Sequence, residues 1–439
     1  MRLKFLSLNL LFLSFFTCST CQVTYSLKDC INIGLENNFS ILVARNSEEI
    51  AKNNYSLGNA GYLPSLDLSG RYSGTLNNTT QNMADGTRNV SKEVYNTAAS
   101  AGVTLGFTIF NGFNVLTTYK KLNELKQVGE LGTQMAIENL LSDIVASYYN
   151  YILQVQLLNN LKYAVFLSKE RLRIDMDRYL LGSSSKLQVL QSQVYLNADS
   201  SGLSRQYETV RAAQIQLNEL MALKELATQF ITKDSSIEVN PDLVYEKLLE
   251  ETLVKNTALN IATRNKIISE YDYRIIVSRS YPYLSFTSGY SYNYNTFSSS
   301  PTKNQLTNGM NYGVTFGLPI FDGFNQLRNM RNSSIQIRNT ELIYKEIEQG
   351  VRADLLTIYS AYANYLRLTT LEEQNLQTAT ENLEIAMERY RLGELSGIDL
   401  REVQKSLLDA NESLSSIHYQ AKLAEISLMQ ISGRIMDYY

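Results

Sequence analysis

The sequence predicts an internally duplicated α+β membrane protein in which β-strands alternate with very long helices. Three observations support this fold class: a repeat that recurs halfway along the chain, four segments in which apolar and polar residues alternate, and two long stretches without proline. Period-two alternation is the signature of a strand with two unlike faces, and a long proline-free stretch favours helix. A length of 439 residues would otherwise suit two or three ordinary domains.

The N-terminus predicts an export signal over residues 1–21. Two basic residues precede an apolar run of twelve residues, Phe5–Phe16, and small residues follow it. The run is too short to cross a bilayer and has the order of a cleaved secretory signal peptide. Whether Cys18 or Cys21 is instead lipidated stays open, because threonine precedes each of them.

Composition excludes several classes of function. There are 40 basic and 43 acidic residues, with a net charge of −3, so no basic surface for nucleic acid is predicted. The single histidine is His418, and the three cysteines all lie within the first thirty residues. This inventory provides no metal site, no cofactor site and no catalytic constellation, so the chain is predicted not to be an enzyme. Cys30 is expected to be a small buried residue on a helix.

The repeat is visible in two motifs. GVTLGFTIFNGF, at Gly102–Phe113, returns as GVTFGLPIFDGF at Gly313–Phe324, 211 positions later. RYLLG and RYRLG, which end at Gly182 and Gly393, have the same offset. Upstream the offset is 218, as between Asn38 and Asn256. A repeat of this length indicates tandem duplication of one structural unit.

The duplication divides the mature chain into three parts. A first repeat is predicted over residues 22–227, an equatorial linker over 228–243 and a second repeat over 244–439. Each repeat is expected to contain a helix, two strands, a long helix, a tight turn and a final helix.

Four segments alternate between apolar and polar or small residues. They predict strands at about 64–76, 101–110, 283–295 and 312–321. The polar stretches 77–100 and 298–309 are predicted to be loops. Asp67 and Arg71, the charges inside these strands, lie on the polar face. Strand length, the Tyr and Phe on the apolar faces, and export favour a membrane β-barrel over a soluble sandwich. Four strands cannot close a barrel, so copies of the chain must pool them.

Two stretches, 114–179 and 325–390, predict helices of about 100 Å. In the first of them apolar residues step by four and three, the seam of a coiled coil. That seam comprises Ile137, Leu141, Ile144, Tyr148, Tyr151, Val155 and Leu158. Tight turns are predicted at 182–185 and 393–397. Gly112 and Gly323 are expected to form the bends where a strand becomes a long helix.

Taken in order, these motifs resemble the outer-membrane efflux factors, the TolC-like channel proteins. YLPSLDLSGRYS, GVTLGFTIFNGF and DRYLLG, echoed as YPYLSFTSGYS, GVTFGLPIFDGF and ERYRLG, carry the resemblance over almost the whole chain after residue 21. The resemblance implies a homotrimer with a twelve-stranded barrel in the outer membrane of a Gram-negative bacterium and a helical tunnel in the periplasm.

The resemblance also implies a periplasmic entrance gate at Tyr390, Asp399 and Glu402, with Gln188 as the first-repeat partner. Asp399 and Glu402 are three residues apart and share a helix face, so copies around an axis would form an acidic ring. The alternative is that both acids are solvated charges near a helix N-terminus. Leu395 and Gln188 depart from the family pattern, so the usual salt bridge at the gate is expected to be missing, although Tyr390 could still bond to Gln188.

The hairpin tips are the expected docking sites for a periplasmic adaptor protein, which joins such a channel to an inner-membrane transporter driven by protons or ATP. They comprise Gly182, Ser185, Gly393 and Ser396. The same residues are also explained as a helix cap followed by an N-cap serine.

The predicted function is a passive exit duct of a tripartite efflux pump or type I secretion system. A free-standing diffusion porin would not need such long helices, and a periplasmic coiled-coil scaffold would not need the alternating strands.

Overall fold

A computed structural model describes residues 23–439. The predicted signal peptide, with Cys18 and Cys21, lies outside the described residues. Within them, no helix is both long and apolar enough to cross a membrane. The first half consists of β1 (Val23–Tyr25), α1 (Leu27–Asn37), α2 (Phe39–Asn54), α3 (Leu57–Ala60), β2 (Ser65–Asn82), β3 (Arg88–Asn111), α4 (Asn114–Leu180) and α5 (Lys186–Leu220). The second half consists of β4 (Phe230–Thr232), α6 (Tyr245–Lys255), α7 (Thr257–Ser278), β5 (Tyr283–Phe297), β6 (Asn304–Gly317), α8 (Asn325–Leu392), α9 (Gly397–Ile431) and a 3₁₀ helix (Ile435–Tyr438).

The four long strands form one antiparallel sheet in the order β2-β3-β5-β6. The two halves meet in its middle, where Val103 of β3 faces Tyr290 of β5. Each half also contributes one hairpin with equivalent pairing: Leu68 faces Val103 in the first, and Phe286 faces Val314 in the second. Strands β2 and β6 are the two outer edges, and neither has a second strand partner among residues 23–439.

The strands differ in extent from the sequence prediction. The stretch 77–100 is not a loop, because β2 continues to Asn82 and β3 begins at Arg88. Only a short turn around Gly86, whose φ is +86°, connects them. A strand ladder is formed by backbone N–H and C=O groups, and the Thr, Val and Tyr residues of this stretch favour strands. The prediction of a loop from its polar composition was therefore wrong. Strand β6 is likewise shifted: it begins at Asn304 and ends at Gly317, ahead of Pro319, which lacks the N–H that a ladder needs.

The two long helices are continuous, with 67 residues in α4 and 68 in α8. Both end in equivalent caps. Gly182 and Gly393 adopt φ of +74° and +85°, and each donates its N–H to the carbonyl of the tyrosine three residues earlier, at 3.0 Å. A left-handed residue of this kind ends a helix by satisfying its last carbonyl groups, and glycine adopts it without strain.

The predicted coiled-coil seam is buried in the core that surrounds the middle of α4. Leu141, Ile144 and Tyr148 have no exposed surface, and neither does Leu217, which reaches this core from α5. Cys30 of α1 is also fully buried there, and burial raises the pKa of its thiol to about 12. The first and last helices of each half, α1 with α5 and α6 with α9, therefore pack around the middle of the long helices α4 and α8.

The duplication predicted from the sequence is confirmed by equivalent side-chain contacts. Asn38 caps α2 and donates from Nδ2 to the Leu220 carbonyl at 2.9 Å. Asn256 caps α7 and donates in the same way to the Ile431 carbonyl at 3.0 Å. The donors are 218 positions apart and the acceptors 211, which are the two offsets of the sequence repeat.

The strand-to-helix bends lie at Gly112 and Gly323, with φ of +67° and +70°. The next residues, Phe113 and Phe324, also have positive φ, which is rare for a bulky side chain. Each of these phenylalanines packs edge-to-face on the phenylalanine three positions before it. A Cβ built at Gly112 would clash with the Ser278 carbonyl oxygen, whereas one at Gly323 meets only its neighbour Asn325, at 3.6 Å.

We predict opposite effects of alanine substitution at Gly112, in the first bend, and at Gly132, within α4. Gly112→Ala combines a left-handed φ, which costs about 1–3 kcal/mol, with the clash against α7, so the protein should unfold at a lower temperature. Gly132→Ala, in an open position inside α4, should stabilise the helix by about 0.5–1 kcal/mol. Thermal unfolding in detergent, followed by far-UV circular dichroism, measures both; equal shifts of the two variants would contradict the assignment.

Candidate gate between the helical hairpins

The gate candidates lie where two helical hairpins, α4 with α5 and α8 with α9, run side by side. Ser185 and Ser396 are the N-caps of α5 and α9. The Gln188 side chain is engaged in the first cap, where its Oε1 accepts from the Ser184 hydroxyl and from the Ser185 N–H. The hydrogen bond envisaged between Tyr390 and Gln188 is therefore not formed.

Tyr390 instead points into the contact between the hairpins, where it is 3% exposed. Its hydroxyl donates to Oδ1 of Asp175 on α4, and the other carboxylate oxygen accepts from the Ser192 hydroxyl of α5. Burial, and then the bond to Asp175, raise the pKa of Tyr390 to about 12. The phenol is a donor at neutral pH. Because its folded pKa lies above the ordinary value of 10.0, its stabilising contribution is complete below pH 10 and disappears as the pH rises towards about 12.

Three arginines complete this contact. Arg178 lies over the Tyr390 ring, with its guanidinium carbon 4.8 Å from the ring centroid, and donates to the Tyr390 carbonyl. Arg171 is 3% exposed, and its Nε lies 3.9 Å from the Asp175 carboxylate. Arg401 of α9 forms a bidentate pair with Asp199 of α5, both bonds being 2.8 Å.

Tyr195 of α5 lies between Arg171, which is near Asp175, and Arg401, which pairs with Asp199. The guanidiniums of Arg171 and Arg401 both lie over its ring, at 4.8 and 5.1 Å from the centroid. We call the set the inter-hairpin cluster: Arg171, Asp175, Arg178, Ser192, Tyr195, Asp199, Tyr390 and Arg401. It contains two carboxylates against three guanidiniums. Tyr390 also belongs to a buried apolar cluster that includes Leu383 and Leu400.

The cluster fixes how the hairpins fit together more than it stabilises them. Moving paired charges out of water costs roughly as much as their attraction returns, but removing one partner leaves an uncompensated charge at about 3–5 kcal/mol. Arg171 would tolerate the loss of a charged partner poorly, because its Nε and Nη1 already have no hydrogen-bond acceptor among the described residues. A Cβ at Gly397 would lie 2.8 Å from this guanidinium, so glycine at the start of α9 makes room for it.

Of the cluster, the sequence analysis named only Tyr390, although the repeat contains a signal for three of the other members. Asp175 aligns across the repeat with Ala386, Asp199 with Ala410, and Arg401 with Leu190. Each charge thus occurs in only one half. Such breaks in an otherwise repeated pattern mark contacts where one hairpin meets its unlike counterpart. The ion pair between Arg401 and Asp199 joins the two hairpins at these positions.

Asp399 and Glu402 do not belong to the cluster. Both side chains are exposed. The Asp399 carboxylate accepts a hydrogen bond of 2.7 Å from the hydroxyl of Ser396, the N-cap residue of α9. Glu402 forms no ion pair within residues 23–439. The hairpin tips are apolar and exposed, with Leu181 at 83%, Leu187 at 70% and Leu392 at 73%.

The sequence profile of the outer membrane efflux protein family matches residues 30–223 and 248–434. The outer membrane protein TolC of Vibrio cholerae is 27% identical over 183 residues, which cover 42% of this chain and 40% of that protein. The outer membrane efflux protein BepC of Brucella suis is 26% identical over 144 residues, 31% of this chain and 30% of BepC. These two alignments thus span less than half of either relative.

A solved structure is similar over nearly the full length. The Campylobacter jejuni CmeC outer membrane channel superposes with a TM-score of 0.74 at 19% identity, covering 93% of this chain and 85% of that one. At this identity the similarity establishes the fold alone. It confirms the predicted fold class of a duplicated chain with long helices and a small sheet.

We predict that Tyr390→Phe loosens the contact between the hairpins. Loss of the bond to the buried Asp175 should cost about 1–3 kcal/mol and speed amide exchange in segments 171–199 and 386–404. Hydrogen–deuterium exchange with mass spectrometry measures this. Tyr179→Phe is the matched control, because Tyr179 is the repeat counterpart of Tyr390 and is 43% exposed. Equal exchange in both variants would show that the Asp175 bond does not hold the hairpins.

Proposed function

This chain belongs to the outer membrane efflux protein family, and we propose that it is the outer-membrane exit duct of a tripartite efflux pump or a type I secretion system. The observation that carries the proposal is the continuity of the four-stranded sheet with long helical hairpins in a single chain. The sheet would lie in the outer membrane and the helices in the periplasm. Members of this family are channels rather than enzymes, so transport through the duct is passive.

The sheet supports a membrane location through its faces and its edges. One face of β2 carries Leu66, Leu68, Tyr72 and Leu76, which are 67–81% exposed. The other face carries Ser, Thr, Asp67 and Arg71. A surface of this kind fits lipid on one side and water on the other. The open edges of β2 and β6 would each leave a row of backbone groups unpaired in lipid, at several kcal/mol per group. Three copies, as in a homotrimer, give a closed barrel of twelve strands.

The periplasmic end supports a gated entrance. The inter-hairpin cluster holds α8 and α9 against α4 and α5, so opening would require its bonds to separate. Asp399 and Glu402, which are exposed in one chain, would line an axis shared by three chains. A ring of carboxylates there would favour cations over anions.

The hairpin tips support a partner in the periplasm. Leu181, Leu187 and Leu392 are exposed next to the capping glycines. Exposed apolar side chains that cluster at one end of a molecule are typical of a protein-binding surface. We assign this surface to a periplasmic adaptor protein, which would connect the duct to an inner-membrane transporter driven by protons or ATP.

Membrane fractionation tests the duct. We expect the chain in the outer-membrane fraction as a trimer that dissociates to monomers on heating in detergent. An antibody against an epitope tag at the C-terminus detects the chain in each fraction. A soluble periplasmic protein serves as the control for the separation of the fractions. Recovery as a soluble periplasmic monomer would contradict the proposal and favour a scaffold.

Planar-bilayer recording tests the acidic ring. Asp399→Ala with Glu402→Ala should weaken block of the channel by a trivalent cation added from the periplasmic side, because the carboxylates that hold it are gone. Glu381→Ala with Glu384→Ala is the matched control, since these acids have the same spacing on α8 and are also exposed. Unchanged block in the first double variant would overturn the assignment of the ring.

A further inference from the structure

A cavity of about 580 Å³ lies where the sheet meets the long helices, beside the bend that leads into α4. It is lined by the end of β3, the start of α4, the last turn of α7, the start of β5 and the end of β6. Roughly 90 Å of α4 separate Asn114, at this cavity, from Asp175 of the inter-hairpin cluster. The gate therefore does not explain the residues that line it, and its volume suits a solute of drug size.

The sheet residues that line the cavity belong to the polar face of the sheet. Tyr283 of β5 faces Asn111 of β3 on one side and Gly317 of β6 on the other. By the period of two, Ser285 and Thr287 continue the face of Tyr283 along β5. Under the proposed function, this polar face lines the lumen of the duct.

A glycine gives the Tyr283 ring its place beside the cavity. A Cβ built on Gly317 would overlap this ring, so the phenol lies across the backbone of β6. Any other residue at this position would displace the ring, because every other side chain begins with a Cβ.

The hydrogen-bond acceptors of the lining side chains are already engaged. Asn111 Oδ1 accepts from a backbone N–H of α4 at 3.3 Å, and Asn114 Oδ1 accepts from a hydroxyl of α4 at 3.2 Å. The Ser278 hydroxyl accepts from Asn114 Nδ2 at 3.0 Å and donates to the carbonyl three residues earlier at 2.7 Å. These oxygens thus serve to fix the bend and the end of α7.

The donors of the lining have no acceptor within residues 23–439. They are the Arg279 guanidinium, Asn111 Nδ2 and the hydroxyls of Tyr281 and Tyr283, and Arg279 forms no ion pair there either. No carboxylate lines the cavity. Arg279 caps the C-terminus of α7, where the helix dipole favours a cation, but the dipole supplies no acceptor for its N–H groups. Unused donors, a permanent positive charge and the lack of an acid favour an anion.

The repeat does not duplicate these donors. Asn111 corresponds to Asp322 and Arg279 to Gly61, although both halves keep the glycine of the bend. A bend of this kind therefore forms without the amide and without the guanidinium. Their presence at one bend alone points to a ligand.

We propose that this cavity binds an organic anion, in which a carboxylate, sulfonate or phosphate group is attached to an apolar or aromatic body. Arg279 supplies the charge and a planar pair of donors that matches an oxyanion, and Asn111 Nδ2 supplies a further donor. The two tyrosine rings and Leu318 provide the surface on which the body packs. The inference rests on the proposed function in one respect, since the duct brings solutes past the polar face. It adds anionic amphiphiles to the solutes that the duct carries.

Isothermal titration calorimetry with naphthalenesulfonate tests the site, with the full chain in phosphatidylcholine nanodiscs and empty nanodiscs as background. Arg279→Gln should weaken binding about tenfold or more, because a charge-assisted hydrogen bond is lost. Asn111→Asp should weaken it at least as much, because a carboxylate replaces a donor. Arg274→Gln should leave it unchanged: this arginine is also exposed on α7 but does not line the cavity.

Two further measurements keep charge apart from a general loss of structure. Arg279→Lys retains the charge without the planar fork, so it should bind more tightly than Arg279→Gln. Naphthylmethylammonium, a cation of similar shape, should not bind. Equal affinity for the cation and the anion, or unchanged affinity in Arg279→Gln, would overturn the proposal.

An anionic lipid headgroup is the other source of such a ligand, and nanodiscs that contain phosphatidylglycerol distinguish it. Equal affinity for the sulfonate in both kinds of nanodisc supports a solute that reaches the polar face. Loss of binding in the anionic nanodiscs would show that lipid occupies the cavity and would overturn the assignment to a solute.

Failure of the site and failure of the duct are separable, because one chain builds the whole cavity. A trimer in the outer membrane that does not bind the sulfonate would overturn the site alone. A soluble monomer that binds it would contradict the proposed function and support the site.

Discussion

The hydrogen-bonding demand of the sheet edges is the constraint on which the rest of the structure depends. Within residues 23–439, strands β2 and β6 each have one side without a strand partner. A sheet in lipid removes such a deficit only by closing into a barrel, and the proposed membrane location therefore requires more strands than the four of the described sheet. Under the proposed function, the association of three copies would bring these edges together.

The helices follow the order of the strands, because each strand is connected to one helix across a short bend. Helix α2 packs on α4, α4 on α7, and α7 on α8. Gly112 and Gly323 allow the left-handed turn at the two bends that lead into α4 and α8. At the far end the equivalence breaks down. Asp175, Asp199 and Arg401 have apolar counterparts in the other half, so the two hairpins of one chain meet through charges that the repeat does not duplicate. Repetition accounts for the paired strands and the long helices, and the departures from repetition account for the inter-hairpin cluster.

The sequence was sufficient for the fold class and for the strand-to-helix bends, because alternation, proline placement and the two offsets are local signals. It misjudged segment 77–100, where polar strands are as stable as polar loops once a partner strand is present. It named Tyr390 but missed the other members of the inter-hairpin cluster, because Asp175 and Tyr390 are 215 positions apart and only the packing of the two hairpins brings them together. Gln188 has the expected residue type for a polar gate, but its own N-cap engages it.

Electron cryo-microscopy of the purified protein in lipid nanodiscs tests the central claim most directly. The account predicts a threefold assembly whose twelve strands close one barrel, with the long helices continuing from it on one side. A particle with unclosed sheet edges, or with a symmetry other than threefold, would contradict it.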